Sequence, residues 1–155
     1  MRRAAHLQVT RCVRVWSPPI AELTAWTAAA LGRRGDGAEL AVRVVGVIES
    51  RRLNAQYRGR DAPTNVLSFP APPLPVSPKR QRRALGDLVI CARLLRAEAR
   101  AQGKTLRAHW AHLVVHGALH LIGYDHERAR DARRMERREI VVLRGLGFAN
   151  PYRST

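Results

Sequence analysis

The stretch His116-Gly117-Ala118-Leu119-His120-Leu121-Ile122-Gly123-Tyr124-Asp125-His126 decides how this chain folds around its chemistry. His116 and His120 stand four residues apart, so a helix brings both imidazoles to one face, one turn apart. A third ligand cannot continue that stripe. Eight residues of straight helix rise about 12 Å, too far for three side chains to converge on one ion. The chain must turn back, and Gly123 stands where a left-handed C-cap would turn it. His126, three residues further on, then completes a three-imidazole set for one Zn²⁺ per chain, with N–Zn bonds of about 2.0–2.1 Å. The fourth position stays open, as in catalytic rather than structural zinc sites.

The spacing matches the metzincin pattern H-E-x-x-H-x-x-G-x-x-H with one departure: Gly117 replaces the glutamate that serves those proteases as general base. The metal cage is kept and the peptidase carboxylate is missing. His112 lies on the same stripe one turn earlier and is expected to pack or hydrogen-bond behind the site, not to ligate. Asp125, beside the third ligand, is a candidate to orient it or to accept a histidine N–H from outside the coordination sphere. An exposed turn aspartate is the alternative. His6 and His109 have no evident partner.

A length of 155 residues predicts a single domain, 1–155, able to bury a core without disulfides. No apolar run approaches the roughly 20 residues of a membrane span, and the N-terminus is not a signal peptide, so a soluble cytoplasmic protein without membrane contact is expected. Cys12 and Cys91, far apart and outside any C-x-x-C, are expected to be buried thiols in a reducing compartment. The net charge of +16 favours an acidic polymer as partner. Only Lys79 and Lys104 are lysines. Codon usage in a GC-rich genome would explain arginine in place of lysine, but not 28 basic residues against 12 acidic ones.

Alternation of Leu7, Val9, Val13 and Val15 predicts a first strand. Ser17 is placed to cap a helix over 20–31, with proline in its first turn, closed by Gly32. A second, valine-rich strand is predicted over 40–48, a short helix over 49–57 and a brief strand over 65–69. Residues 70–78 hold five prolines, marking a stiff exposed loop. The basic run through Lys79, Arg80, Arg82 and Arg83 makes these four residues RNA-binding candidates, with a solvated loop as the plain alternative. A strand over 85–91, a helix over 92–102 stopped by Gly103, the metal helix over 106–122 capped by Thr105, and a charged helix over 128–146 follow. The fold class is α+β: a single mixed sheet of about four strands packed by about five helices, one of them a zincin-like metal helix.

Three further blocks complete the picture: Leu53-Asn54-Ala55-Gln56-Tyr57-Arg58-Gly59-Arg60-Asp61-Ala62-Pro63-Thr64-Asn65-Val66-Leu67-Ser68-Phe69-Pro70, then Leu85-Gly86-Asp87-Leu88-Val89-Ile90, and Leu146-Gly147-Phe148-Ala149-Asn150-Pro151-Tyr152. With the histidine block they resemble the YbeY family of bacterial rRNA-maturation endoribonucleases over about two-thirds of the chain. The first 48 residues match only in their pattern of elements. The resemblance implies a zinc-dependent, single-strand-specific endoribonuclease acting in 3′ maturation of small-subunit (16S) rRNA and in ribosome quality control. It implies single-stranded RNA, the small subunit and assembly factors as partners, and a metal at one end of a basic cleft. It places His116, His120 and His126 on the zinc ligands and Arg58 on the functionally important arginine. Spacing alone would instead pair Arg58 with Asp61.

The implied chemistry is phosphodiester hydrolysis, with zinc polarising the phosphate, acidifying its water, or both. Without a glutamate at position 117, either the metal needs no separate base or the RNA 2′-hydroxyl is the nucleophile. Two other classes fit parts of the pattern: a zinc metalloprotease-like hydrolase, and a non-catalytic ribosome-assembly factor with a structural zinc. Gly117 argues against the first, and the lack of a fourth protein ligand against the second.

Overall fold

In the computed structural model, residues 4–72 and 83–153 are described. They form one four-stranded mixed sheet and five α-helices. The strands are β1 (His6–Arg11), β2 (Ala38–Val45), β3 (Val66–Pro70) and β4 (Arg83–Cys91). The helices are α1 (Ile20–Leu31), α2 (Val47–Arg58), α3 (Ala92–Gln102), α4 (Leu106–Leu121) and α5 (Ala129–Gly145), and a 3₁₀ turn at Gly32–Gly35 follows α1. The sheet order is β1-β2-β4-β3, with β1, β2 and β4 parallel and β3 antiparallel to β4 at one edge. This is the α+β architecture expected.

A parallel centre demands cover on both faces. Leu40, Val42 and Val44 of β2 and Leu88 and Ile90 of β4 join the main core with α1, α4 and α5. Val45, Val89 and Leu67 face the other way, onto Leu53 of α2. α4 is the central helix: ten of its sixteen residues are buried, among them Trp110, Val114, Ala118 and Leu119. Its amphipathic character is weak because it is wrapped on most sides, leaving one stripe open for the histidines.

Several boundaries differ from expectation, each for a pairing reason. β1 ends at Arg11, which lies opposite Val44, so Val13 and Val15 alternate because they pack against the core and not because they pair. β2 stops at Val45, opposite Cys91, where its partner strands also run out. Val47 and Ile48 therefore open α2 behind Gly46 and are exposed, not part of a strand. Ser17 does not cap α1. Its Oγ accepts from Arg11 Nε at 2.9 Å, and the helix starts behind Pro19 with no side-chain cap. Cys91 is buried, but Cys12 is exposed, and both are free thiols. No helix of the described residues is long and apolar enough to cross a membrane.

Candidate metal centre and RNA cleft

Thr105 starts α4 as expected, its hydroxyl accepting from the Ala108 N–H at 3.1 Å. The helix then delivers His116 and His120 to its open stripe. Gly123, at φ +101°, reverses the chain, a conformation L side chains rarely adopt. The turn is closed by Tyr124 N–H on the Leu119 carbonyl at 3.1 Å and by Gly123 N–H on the His120 carbonyl at 3.1 Å. These bonds return His126 to α4, where His120 Nε2 and His126 Nδ1 lie 2.8 Å apart. One nitrogen from each of His116, His120 and His126 lies within 4.8 Å of the others, so the group could hold a metal ion. Nitrogens around a tetrahedral ion lie about 3.3 Å apart, so the His120–His126 pair need open by only a fraction of an ångström. Burial, followed by the proximity of His116 and His126, lowers the His120 pKa to about 4 and keeps its imidazole neutral, the form a metal binds.

Gly117 faces the sheet, not the metal. A Cβ there would lie 2.8 Å from Leu88 Cδ2 and 3.4 Å from Val66 Cγ2. A glutamate in the protease register would be driven into the core. The neighbouring β3 ties two parts of the site together through Ser68: its hydroxyl donates to the Gly117 carbonyl at 3.3 Å, and its own carbonyl accepts from Arg58 Nη2 at 3.1 Å.

Arg58 closes α2 and is exposed, its guanidinium 5.9 Å from the Phe69 ring centre. It does not pair with Asp61, which takes a two-point contact from Arg51 at 2.7 and 3.0 Å. Only one Arg58 nitrogen is committed to the Ser68 carbonyl, which leaves donors for a ligand. A single cleft of about 1020 Å³ is lined by Arg58, the three histidines and Asp125. Its other described charged residues are Arg60 and Lys104 against Glu98 and Glu127, so its wall is mixed in sign, not uniformly basic.

Asp125 acts on backbone: Oδ1 accepts from the N–H groups of His126 at 2.6 Å and Glu127 at 3.2 Å, which lowers its pKa. Through these backbone bonds it shapes the turn that presents His126. Arg83 belongs to β4, not to a loop. It is exposed, donates to the Arg34 carbonyl and is not among the cleft-lining residues. Lys79, Arg80 and Arg82 lie outside the described residues.

Two features were not foreseen. His109 meets Glu98 through Nε2 at 2.8 Å, and the Asn65 amide donates to the same carboxylate at 3.2 Å. Behind the triad, the buried Glu139 of α5 meets His112, His116 and Tyr152. The clue lay in the sequence: Met135, Glu139, Val142 and Leu143 recur at helical spacing, a carboxylate set on an apolar stripe. Burial pushes the Glu139 pKa up, but the contacts from His112 and His116 outweigh it and hold the pKa at about 2.

A family profile described as "Endoribonuclease YbeY" matches residues 18–147. An Endoribonuclease YbeY of Alkalilimnicola ehrlichii is 57% identical over 144 residues, covering 90% of this chain and 85% of that protein. The solution structure of TM1509 from Thermotoga maritima superposes with a TM-score of 0.56 over 95% of this chain and 99% of that one. At 22% identity that likeness concerns the fold. With a profile spanning most of its length and a relative of this closeness, the chain belongs to the YbeY family.

Proposed function

We propose that this chain is a zinc-dependent endoribonuclease of one domain that cuts single-stranded RNA. Its setting is the cytoplasm, in 3′ maturation of small-subunit rRNA and ribosome quality control, with the small subunit and assembly factors as partners. The observation that carries the reading is one cleft lined by His116, His120, His126 and Arg58 in a chain of the YbeY family. Three imidazoles, with no fourth protein ligand among the described residues, suit zinc with an open position. Zinc held there supplies Lewis acidity, polarising a phosphate oxygen or acidifying a water. Arg58 would grip the scissile phosphate with the guanidinium nitrogens that Ser68 leaves free and stabilise charge developing on it. Asp125 would keep His126 in place through the turn backbone. A protease reading finds no support, because position 117 has no room for the glutamate.

The test is incubation of zinc-reconstituted and chelator-treated protein with single-stranded and duplex RNA. Internal cuts in single-stranded RNA that vanish with the chelator and return with zinc are expected. Equal cleavage after complete metal removal would sink the zinc assignment. No cleavage by fully loaded protein would favour the assembly-factor reading.

A further inference from the structure

Glu139 is the only acidic side chain buried among the described residues. Burying a carboxylate is strongly unfavourable unless donors meet its charge. Its donors come from two residues of α4 and from Tyr152, beyond the end of α5. His112 Nε2 lies 2.8 Å from Oε1, the Tyr152 hydroxyl lies 3.0 Å from each oxygen, and His116 Nδ1 lies 3.3 Å from Oε1. An ionised carboxylate only accepts, so each ring nitrogen facing it carries its hydrogen. His112 fits: its other nitrogen, Nδ1, is buried and makes no hydrogen bond among the described residues. In His116 a hydrogen on Nδ1 leaves the lone pair on Nε2, in a ring whose centre is 5.0 Å from that of His120 and 5.6 Å from that of His126. Asp125, the carboxylate suggested by sequence, grips only backbone N–H groups.

We propose that Glu139 is a positioning residue for the metal site, holding His116 in its Nδ1–H tautomer so that Nε2 faces the ion. This rests on the reading that the three histidines bind zinc. A carboxylate behind a ligating imidazole fixes the tautomer and ring angle and raises the donor strength of the metal-facing nitrogen. The device spans two helices. α4 carries the ligand, α5 carries the carboxylate, and Tyr152, beyond the end of α5, donates to the same carboxylate from a third side.

The test is zinc affinity, read by competition with a chromophoric chelator, for wild type, Glu139→Gln and Tyr152→Phe, with Co²⁺ spectra as a second readout. Glu139→Gln keeps the shape and removes the charge. It should bind zinc about 10–100-fold more weakly and alter the Co²⁺ ligand-field bands. Tyr152→Phe leaves the carboxylate on His116 and should stay close to wild type in affinity. A Glu139→Gln protein that melts earlier without metal yet binds zinc as tightly as wild type would make the residue merely structural and overturn the proposal. Should Glu139→Gln fail to fold, long-range ¹H–¹⁵N spectra of wild-type His116 decide. A proton on Nδ1 with zinc on Nε2 supports the proposal, and zinc on Nδ1 overturns it. Wild type that binds no zinc removes the metal reading itself, and this inference with it. Tight wild-type binding that Glu139→Gln leaves unchanged removes this inference alone.

Discussion

At the scale of single residues, the proposed function divides the site into groups that would hold an ion and a group that would meet the substrate. Arg58 is anchored on the Ser68 carbonyl, at the end of a helix separate from the one that carries His116 and His120. Arg58→Ala should therefore keep full zinc content and a near-wild-type melting curve. Single-turnover cleavage should slow by about 10²–10³-fold, the usual effect of removing one preorganised donor. Cleavage at the wild-type rate would show that the arginine serves only structure. Gly117→Glu tests the other half of the argument. Restoring the protease glutamate forces a side chain against Leu88, where overpacking alone costs about 1–3 kcal/mol and a buried charge adds to it. Calorimetry should show a lower melting temperature, and peptidase assays should show no gain. The three histidines were legible in the sequence because their geometry is local, set by one helical turn and one glycine. Glu139 was harder to see because its partners, His112 and His116, lie 27 and 23 residues away. The Arg58–Asp61 pairing that spacing suggested fails because Arg51, two turns earlier on the same face of α2, takes Asp61 instead.

At the scale of elements, the turn after α4 matters as much as the helix. Gly123 has open space around a would-be Cβ, so alanine there meets no clash and only the cost of φ +101°. A sparsely populated conformation of this kind costs an L residue on the order of 1–3 kcal/mol. Gly123→Ala should therefore lower metal-free stability by about that amount in denaturant titrations. It should also weaken zinc binding, since relief of the strain moves His126. Unchanged zinc affinity would mean that the turn tolerates other paths. Helix and strand identities were readable from periodicity and glycine stops; α3 was placed to the residue, with Gly103 closing it at φ +66°. The ends of β1 and β2 were not readable, because a strand ends where its partner ends. Arg83 was misplaced for the same reason: pairing with Ala38 of β2 draws it into β4.

At the scale of the whole molecule, charge and cleft separate. The net charge of +16 is spread beyond a cleft whose described wall carries both signs. Affinity for RNA should then owe much to arginines outside the cleft and fall steeply with salt. Replacing Lys79, Arg80, Arg82 and Arg83 by glutamine should flatten the plot of log K against log salt by up to about 2–3 units if all four meet phosphates, at about 0.7 each. Because the Arg83 guanidinium already donates to the Arg34 carbonyl, the lower part of that range is expected. Zinc content should not change. An unaltered slope would shift the binding surface to the helices.

The placement of the triad also sets a timescale. Two of the candidate ligands ride on α4, a helix largely buried in the core, whose amides should exchange with solvent only on global opening. The third stands on an exposed turn, where local opening is far more frequent. For an ion held there, release would begin with His126 swinging away while His116 and His120 stay fixed on the helix. The helix would then set where an ion sits, and the turn how long it stays.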